Sequence, residues 1–185
     1  MKKKLIISSL LFFAVVVSAL GFYFQNKESK EAEHVHLHAG FQVYIDGVKQ
    51  NYTDFEFMSM SPCSTEPKEL TPEEKQMEKA HLHDQVGDVV HVHTKGATWG
   101  DLFDNLNVTF DKNKEIQAYN EPFDSTQGEL VTINNVLDKE INPYESIIIV
   151  VGDQSKVEEY KQNFVSRGRI EETEKRSELC GATKN

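Results

Sequence analysis

The amino-acid sequence predicts an α+β fold, a small mixed β-sheet with short helices that is compatible with a β-grasp-like arrangement, following one N-terminal transmembrane helix. Three patterns carry that expectation. Residues 34–46 and 80–94 alternate side-chain character for much of their length, the period-2 signature of strands with one buried face. Thr71 and Thr98 open short segments with helix-start chemistry. The run SIIIVV, Ser146–Val151, is apolar on both faces and so suits a central strand.

Taken in order, residues 1–4 form a basic start and residues 5–24 (LIISSLLFFAVVVSALGFYF) carry no charge, the length of a helix that crosses a bilayer. No Lys or Arg recurs until Lys27, so the positive-inside bias puts the N-terminus inside and the domain outside the cell membrane, held by a single pass. A signal peptide cleaved near Val17-Ser18-Ala19 is the alternative, and it would make the protein secreted. The apolar run continues through Phe22, Tyr23 and Phe24, which favours the anchor. No cysteine lies near the end of the run, which argues against a lipid anchor. Residues 25–33 (QNKESKEAE) have the composition of a tether.

The domain spans residues 34–153. His34–Asp46 reads as a strand with Gly40 as a bend or bulge, and Asp46-Gly47 as a turn into a second strand over Tyr52–Phe57. Residues 59–78 read as a loop with one short helix, because Thr71 can cap free backbone N–H groups with Pro72 at the first helical position and Glu74 behind it. The second histidine cluster reads as a hairpin. After it, Thr98 and Asp101 fit a capping box, and Trp99, Leu102, Phe103 and Leu106 share one helical face, with Asn107 as a stop. Extended runs follow at Glu115–Tyr119, Leu130–Ile133 and Ser146–Val151. Residues 154–185 form a charged C-terminal tail, partly helical, with Val157, Tyr160 and Phe164 at helical spacing, able to pack as a helix or to remain partly mobile beyond Gly168.

Net charge is −10, and −13 once Lys2, Lys3 and Lys4 are set aside. That balance argues against nucleic acid or anionic lipid as a partner and suits solubility or attraction of cations. The two cysteines, Cys63 and Cys180, have no second Cys or His at ligand spacing, so in an exported chain they are expected to form a disulfide from a loop to the tail.

All seven histidines fall in two clusters, HVHLH at residues 34–38 and HLHDQVGDVVHVH at residues 81–93. On a strand, residues at i and i+2 point the same way, so H-x-H presents two imidazoles side by side. In the second cluster His81, His83, His91 and His93 share one parity while Leu82, Val90 and Val92 take the other. A hairpin folded about residues 85–88 therefore gathers the rings on one face, and the aliphatic residues fix that parity. The register expected pairs His83 with His91 and His81 with His93, with opposed Cβ atoms about 4.5–5.5 Å apart. His34, His36 and His38 obey the same rule, with Val35 and Leu37 on the other face, and either complete that site or build a second beside it.

Converging neutral imidazoles are transition-metal ligands. Without thiolates the set suits Zn or Cu, or Ni(II), better than Mg or Ca. Glu31, Glu33 and Asp84 are candidates for an oxygen ligand or for orienting a ring. Met58 and Met60 are candidate thioether ligands for copper, though methionines at such spacing more often fill core space. The leading reading is a membrane-anchored extracytoplasmic metal-binding protein for capture or presentation of a transition metal, rather than an enzyme. Two alternatives stand beside it. Three histidines with an open position would make a metal-dependent hydrolase or hydratase, although the chain has no HExxH, G-x-S-x-G or phosphate loop. A non-metal surface interaction module with acid-sensing histidines is the other.

The stretches HVHLHAGFQVYIDGV, AHLHDQVGDVVHVHTKGATWGDLFDNL and PYESIIIVVGD resemble a family of small exported, single-anchor proteins from uncultivated bacterial and archaeal lineages. The resemblance covers most of residues 34–153 and implies export and a fold, not an activity. Some members are labelled disulfide isomerases. This chain has no C-x-x-C, so that chemistry is not carried over.

Overall fold

The first strand of the domain lies beside the last. In the computed structural model, β1 (His34–Ile45) and β7 (Ser146–Val151) run parallel from Gly40 opposite Ser146 to Ile45 opposite Val151. The structure describes residues 34–59, 70–122, 129–131 and 136–181, all within the unit that begins at Glu33. Every residue of β7 is buried, as expected for a strand with neighbours on both edges and cover on both faces.

Between these strands the chain forms β2 (Val48–Lys49), β3 (Ala80–His81), β4 (Val89–Thr94), β5 (Ile116–Glu121) and β6 (Glu129–Val131). The mixed sheet has the order β3-β4-β1-β7-β5-β6, with β2 added to the end of β1, and every pairing except β1 with β7 is antiparallel. Among the described residues the helices α1 (Pro72–Met77), α2 (Trp99–Asn105), α3 (Val157–Tyr160) and α4 (Arg167–Gly181) accompany it. The α+β class and the central place of Ser146–Val151 agree with the sequence.

Both expected helix starts form as written. Thr71 accepts from the Glu74 N–H while the Glu74 carboxylate accepts from the Thr71 N–H, and Thr98 and Asp101 repeat that reciprocal pair at α2. Helix α2 ends where Asn107 takes a positive φ of 54°, the left-handed conformation Asn tolerates at a C-terminus. Its Trp99, Leu102 and Phe103 are buried against one face of the sheet, with Phe41 meeting the Phe103 ring edge-on at 5.9 Å. Val43, Ala39, Leu82, Val90 and Val92 belong to the same core. Tyr44, Ile148 and Val150 belong to a second cluster with Val157 and Tyr160 of α3.

Three sequence expectations are corrected. Tyr52–Phe57 is not a strand: only Val48–Lys49 pairs after the Asp46-Gly47 turn, and Phe55–Phe57 is a turn of 3₁₀ helix. The Tyr52 ring is buried between Phe41 and Phe57, so the apolar residues there serve ring packing rather than a ladder. The irregularity in β1 lies between His34 and Leu37, not at Gly40. Gly40 is instead a close approach, since a Cβ there would come 2.4 Å from Cβ of Val165. The hairpin register differs, as described below. Of the two alternatives for the tail, the helix is the one found, as α4 through Gly181.

Among the described residues no helix is long and apolar enough to cross a membrane. The expected anchor at residues 5–24, the tether, Cys63 and Met60 lie outside the described residues, as does the side chain of Cys180, and with them the expected disulfide. Met58 packs against the main core.

Candidate metal centre

Strand pairing carries the histidines to one face at one end of the sheet. His38 of β1 stands opposite His91 of β4, and His91 stands opposite His81 of β3, so three adjacent strands each place a ring in one row. Leu37 opposite Val92 and Ala39 opposite Val90 point to the other side, into the core. This is the parity the apolar residues predict.

The register is a correction. His81 pairs with His91, two residues from the expected pairing with His93, and β3 ends at His81. Asp84 and Gln85 both adopt φ of 57°, and Val86 is buried with Val89, Val165 and Ile170. That loop takes up the residues that would otherwise have extended the hairpin. A shift of two keeps the faces, so His83 leaves the ladder yet still reaches the cluster, its Nε2 in contact with Nδ1 of His91. The bulge between His34 and Leu37 likewise interrupts strict alternation along the first cluster. His34 is placed by its backbone opposite Thr94, and its ring lies outside the described residues.

The six described rings form one group. Around His91, the ring centroids of His36, His38, His83 and His93 lie at 4.4, 4.4, 4.3 and 4.4 Å, and that of His81 at 5.4 Å. Two triads, His81/His91/His93 and His36/His38/His91, each bring one potential ligand atom per residue to within 4.8 Å of one another and could hold a metal ion. His38, His81 and His91 are buried, His36 is exposed, and the His83 and His93 side chains are 12% exposed.

The outer partners orient the rings. His81 Nδ1 lies 2.9 Å from the carbonyl oxygen of Met77, so Nδ1–H donates and Nε2 carries the lone pair. His83 Nδ1 donates to Asp84 Oδ2 at 2.7 Å, and His93 Nδ1 lies 3.4 Å from Glu78 Oε2. Carbonyl or carboxylate on one nitrogen and an open lone pair on the other is the arrangement of a metal-ligating imidazole. Asp84 thus takes the orienting role the sequence suggests, whereas Glu31 and Glu33 lie outside the described residues. Glu78, the Met77 carbonyl and Glu174, whose Oε1 is 4.0 Å from His38 Nδ1, were not foreseen. Glu78 follows α1 directly, a signal available in the capped helix. Glu174 comes from the tail and has no local signal.

Proton accounting at His91 decides what the group can do. Its Nδ1 meets the lone pair of His83 Nε2, and its Nε2 lies 3.1 Å from His93 Nε2, whose other nitrogen faces Glu78. A neutral imidazole has one N–H and can serve one of these acceptors. With His93 in its Nδ1–H tautomer the other contact sets two lone pairs against each other, whereas the Nε2–H tautomer of His93 donates to His91 Nε2. Protonating His91 twice would serve both, but burial, followed by the neighbouring His93, His38, His83 and His81, pushes its pKa far below the usual histidine range. Burial, then neighbouring histidines, also lowers His38 to about 4. Burial lowers His81 to about 4 against the opposing Met77 hydrogen bond. Near neutral pH His38, His81 and His91 are therefore uncharged, the form that binds metal.

Comparison with protein-family models, with curated proteins and with solved structures gives no match for this chain.

Proposed function

We propose that the chain is a membrane-anchored, extracytoplasmic protein that binds a transition metal ion, Zn or Cu, through His81, His91 and His93, with His83 beside them, for capture or presentation of that metal. The observation that supports this reading is the convergence of His81, His91 and His93, each bringing one potential ligand atom to within 4.8 Å of the others. All-imidazole ligation supports Zn(II) or Cu(II) over Mg or Ca and disfavours a thiolate-type Cu(I) site. Export and anchoring rest on the basic start and the uncharged run at residues 5–24, and on the family resemblance of residues 34–153. The parallel pairing of β1 with β7 at the sheet centre supports a β-grasp-like description.

The test is elemental analysis of the purified full chain together with zinc and copper titration. The native chain is expected to carry or take up transition metal at micromolar concentration. A variant with His91→Ala and His93→Ala together is expected to lose that uptake. No uptake by the native chain, or full uptake by the double variant, overturns the assignment.

A further inference from the structure

We propose that the histidine group is a two-ion centre in which His91 is the shared ligand, one ion held with His81 and His93 and the other with His36 and His38. This deepens the metal-binding reading and rests on it. Three observations point to the second ion.

First, the two triads are distinct except for His91, which belongs to both. Second, His38 is 2% exposed and neither of its ring nitrogens has a hydrogen-bond partner. A buried imidazole left with two unsatisfied polar atoms is costly, and a cation at this triad satisfies one of them. Third, carboxylates stand around the group. Asp84 lies on His83, Glu78 on His93, and Glu174, which accepts from the Tyr144 hydroxyl, lies near His38. These carboxylates lower the electrostatic cost of bringing two cations close together.

Sharing has a definite chemistry. The first ion takes the lone pair of one His91 nitrogen, and the remaining N–H stays on the other. The second ion replaces that hydrogen, forming a nitrogen–metal bond while the proton leaves to solvent. No electron transfer is involved. The ring then bridges the two ions as imidazolate, and its π-system couples them.

The experiment is a Cu(II) titration of the full chain, followed by the integrated electron paramagnetic resonance signal. The expected result is uptake of two equivalents, with the signal rising over the first and falling over the second as the bridged ions pair their spins. His36→Ala, at an exposed position, is expected to stop uptake at one equivalent with the full signal retained and the circular dichroism spectrum unchanged. Saturation of the native chain at one equivalent, or two equivalents with additive signal, overturns the shared centre and leaves the metal-binding reading standing. No uptake at all overturns both.

Discussion

Glu78 holds His93 twice: its carbonyl oxygen accepts from the His93 backbone N–H at 3.3 Å, and its carboxylate Oε2 lies 3.4 Å from the ring Nδ1. The residue that follows α1 thereby fixes both the strand position and the tautomer of a candidate ligand. Glu78→Gln keeps the backbone bond and removes the charge that favours Nδ1–H. Zinc affinity measured by equilibrium dialysis is expected to fall about 10–100-fold, the usual cost of losing an orienting partner, with the circular dichroism spectrum unchanged. Unaltered affinity would mean that the carboxylate does not orient the ring.

The metal-free domain is expected to lose stability in acid over a defined window. His38 and His81 are lowered from 6.5 to about 4 by burial, so between those values the unfolded chain binds protons that the folded chain does not. Stability therefore falls as pH drops from about 6.5 towards 4 and shows no further loss from these rings below that. For either ring alone the full effect is about 3 kcal/mol, and coupling among the histidines makes the two non-additive. Urea unfolding at a series of pH values measures it. A flat profile across the window would show that the rings are not buried neutral.

Gly87→Ala is expected to disturb the loop that presents His83. A Cβ at Gly87 would fall 2.7 Å from the Tyr52 carbonyl carbon and 2.8 Å from the Thr53 nitrogen, both backbone atoms that have no side-chain freedom to yield. Overpacking of this kind costs about 1–3 kcal/mol. Gly168→Ala is the contrasting case, since nothing lies within 4 Å of its Cβ and it sits inside α4. There a gain of up to about 1 kcal/mol is expected from helix propensity. Thermal melting of both variants should therefore move in opposite directions.

Glu145 is the buried carboxylate on which the start of β7 is built. It accepts from Trp99 Nε1 at 3.1 Å and from the Asn142 backbone N–H at 2.9 Å, and it pairs with Lys139. Glu145→Ala leaves those donors without an acceptor and is expected to cost about 3 kcal/mol, read as a lowered urea midpoint. A loss below about 1 kcal/mol would show that water replaces the carboxylate.

The face on which the rings gather was legible because Leu82, Val90 and Val92 are apolar and a half-buried sheet admits one parity. The register within that parity was not. It depends on Asp84 and Gln85 adopting left-handed backbone and on Val86 finding Val165 and Ile170, residues far along the chain. Helices α1 and α2 were legible because capping boxes are local chemistry. Tyr52–Phe57 misled because aromatic residues favour strands on average, whereas here the rings pack on Phe41 without a ladder. Glu174 near His38 was invisible for the same reason as the register: α4 must first return to β1 before the two can meet.

The parallel ladder between β1 and β7 also sets the order in which the histidines become organised. Phe41 waits for Ile147 and Val43 for Ile149, partners that emerge more than a hundred positions later. A polypeptide growing from its N-terminus has made His36, His38, His81, His91 and His93 before it has made the strand that seats β1. Until Ser146–Val151 has been made those imidazoles lack the strand that seats β1, and closure of so long a loop is slow. The two histidine triads are therefore completed only after β7 has been made.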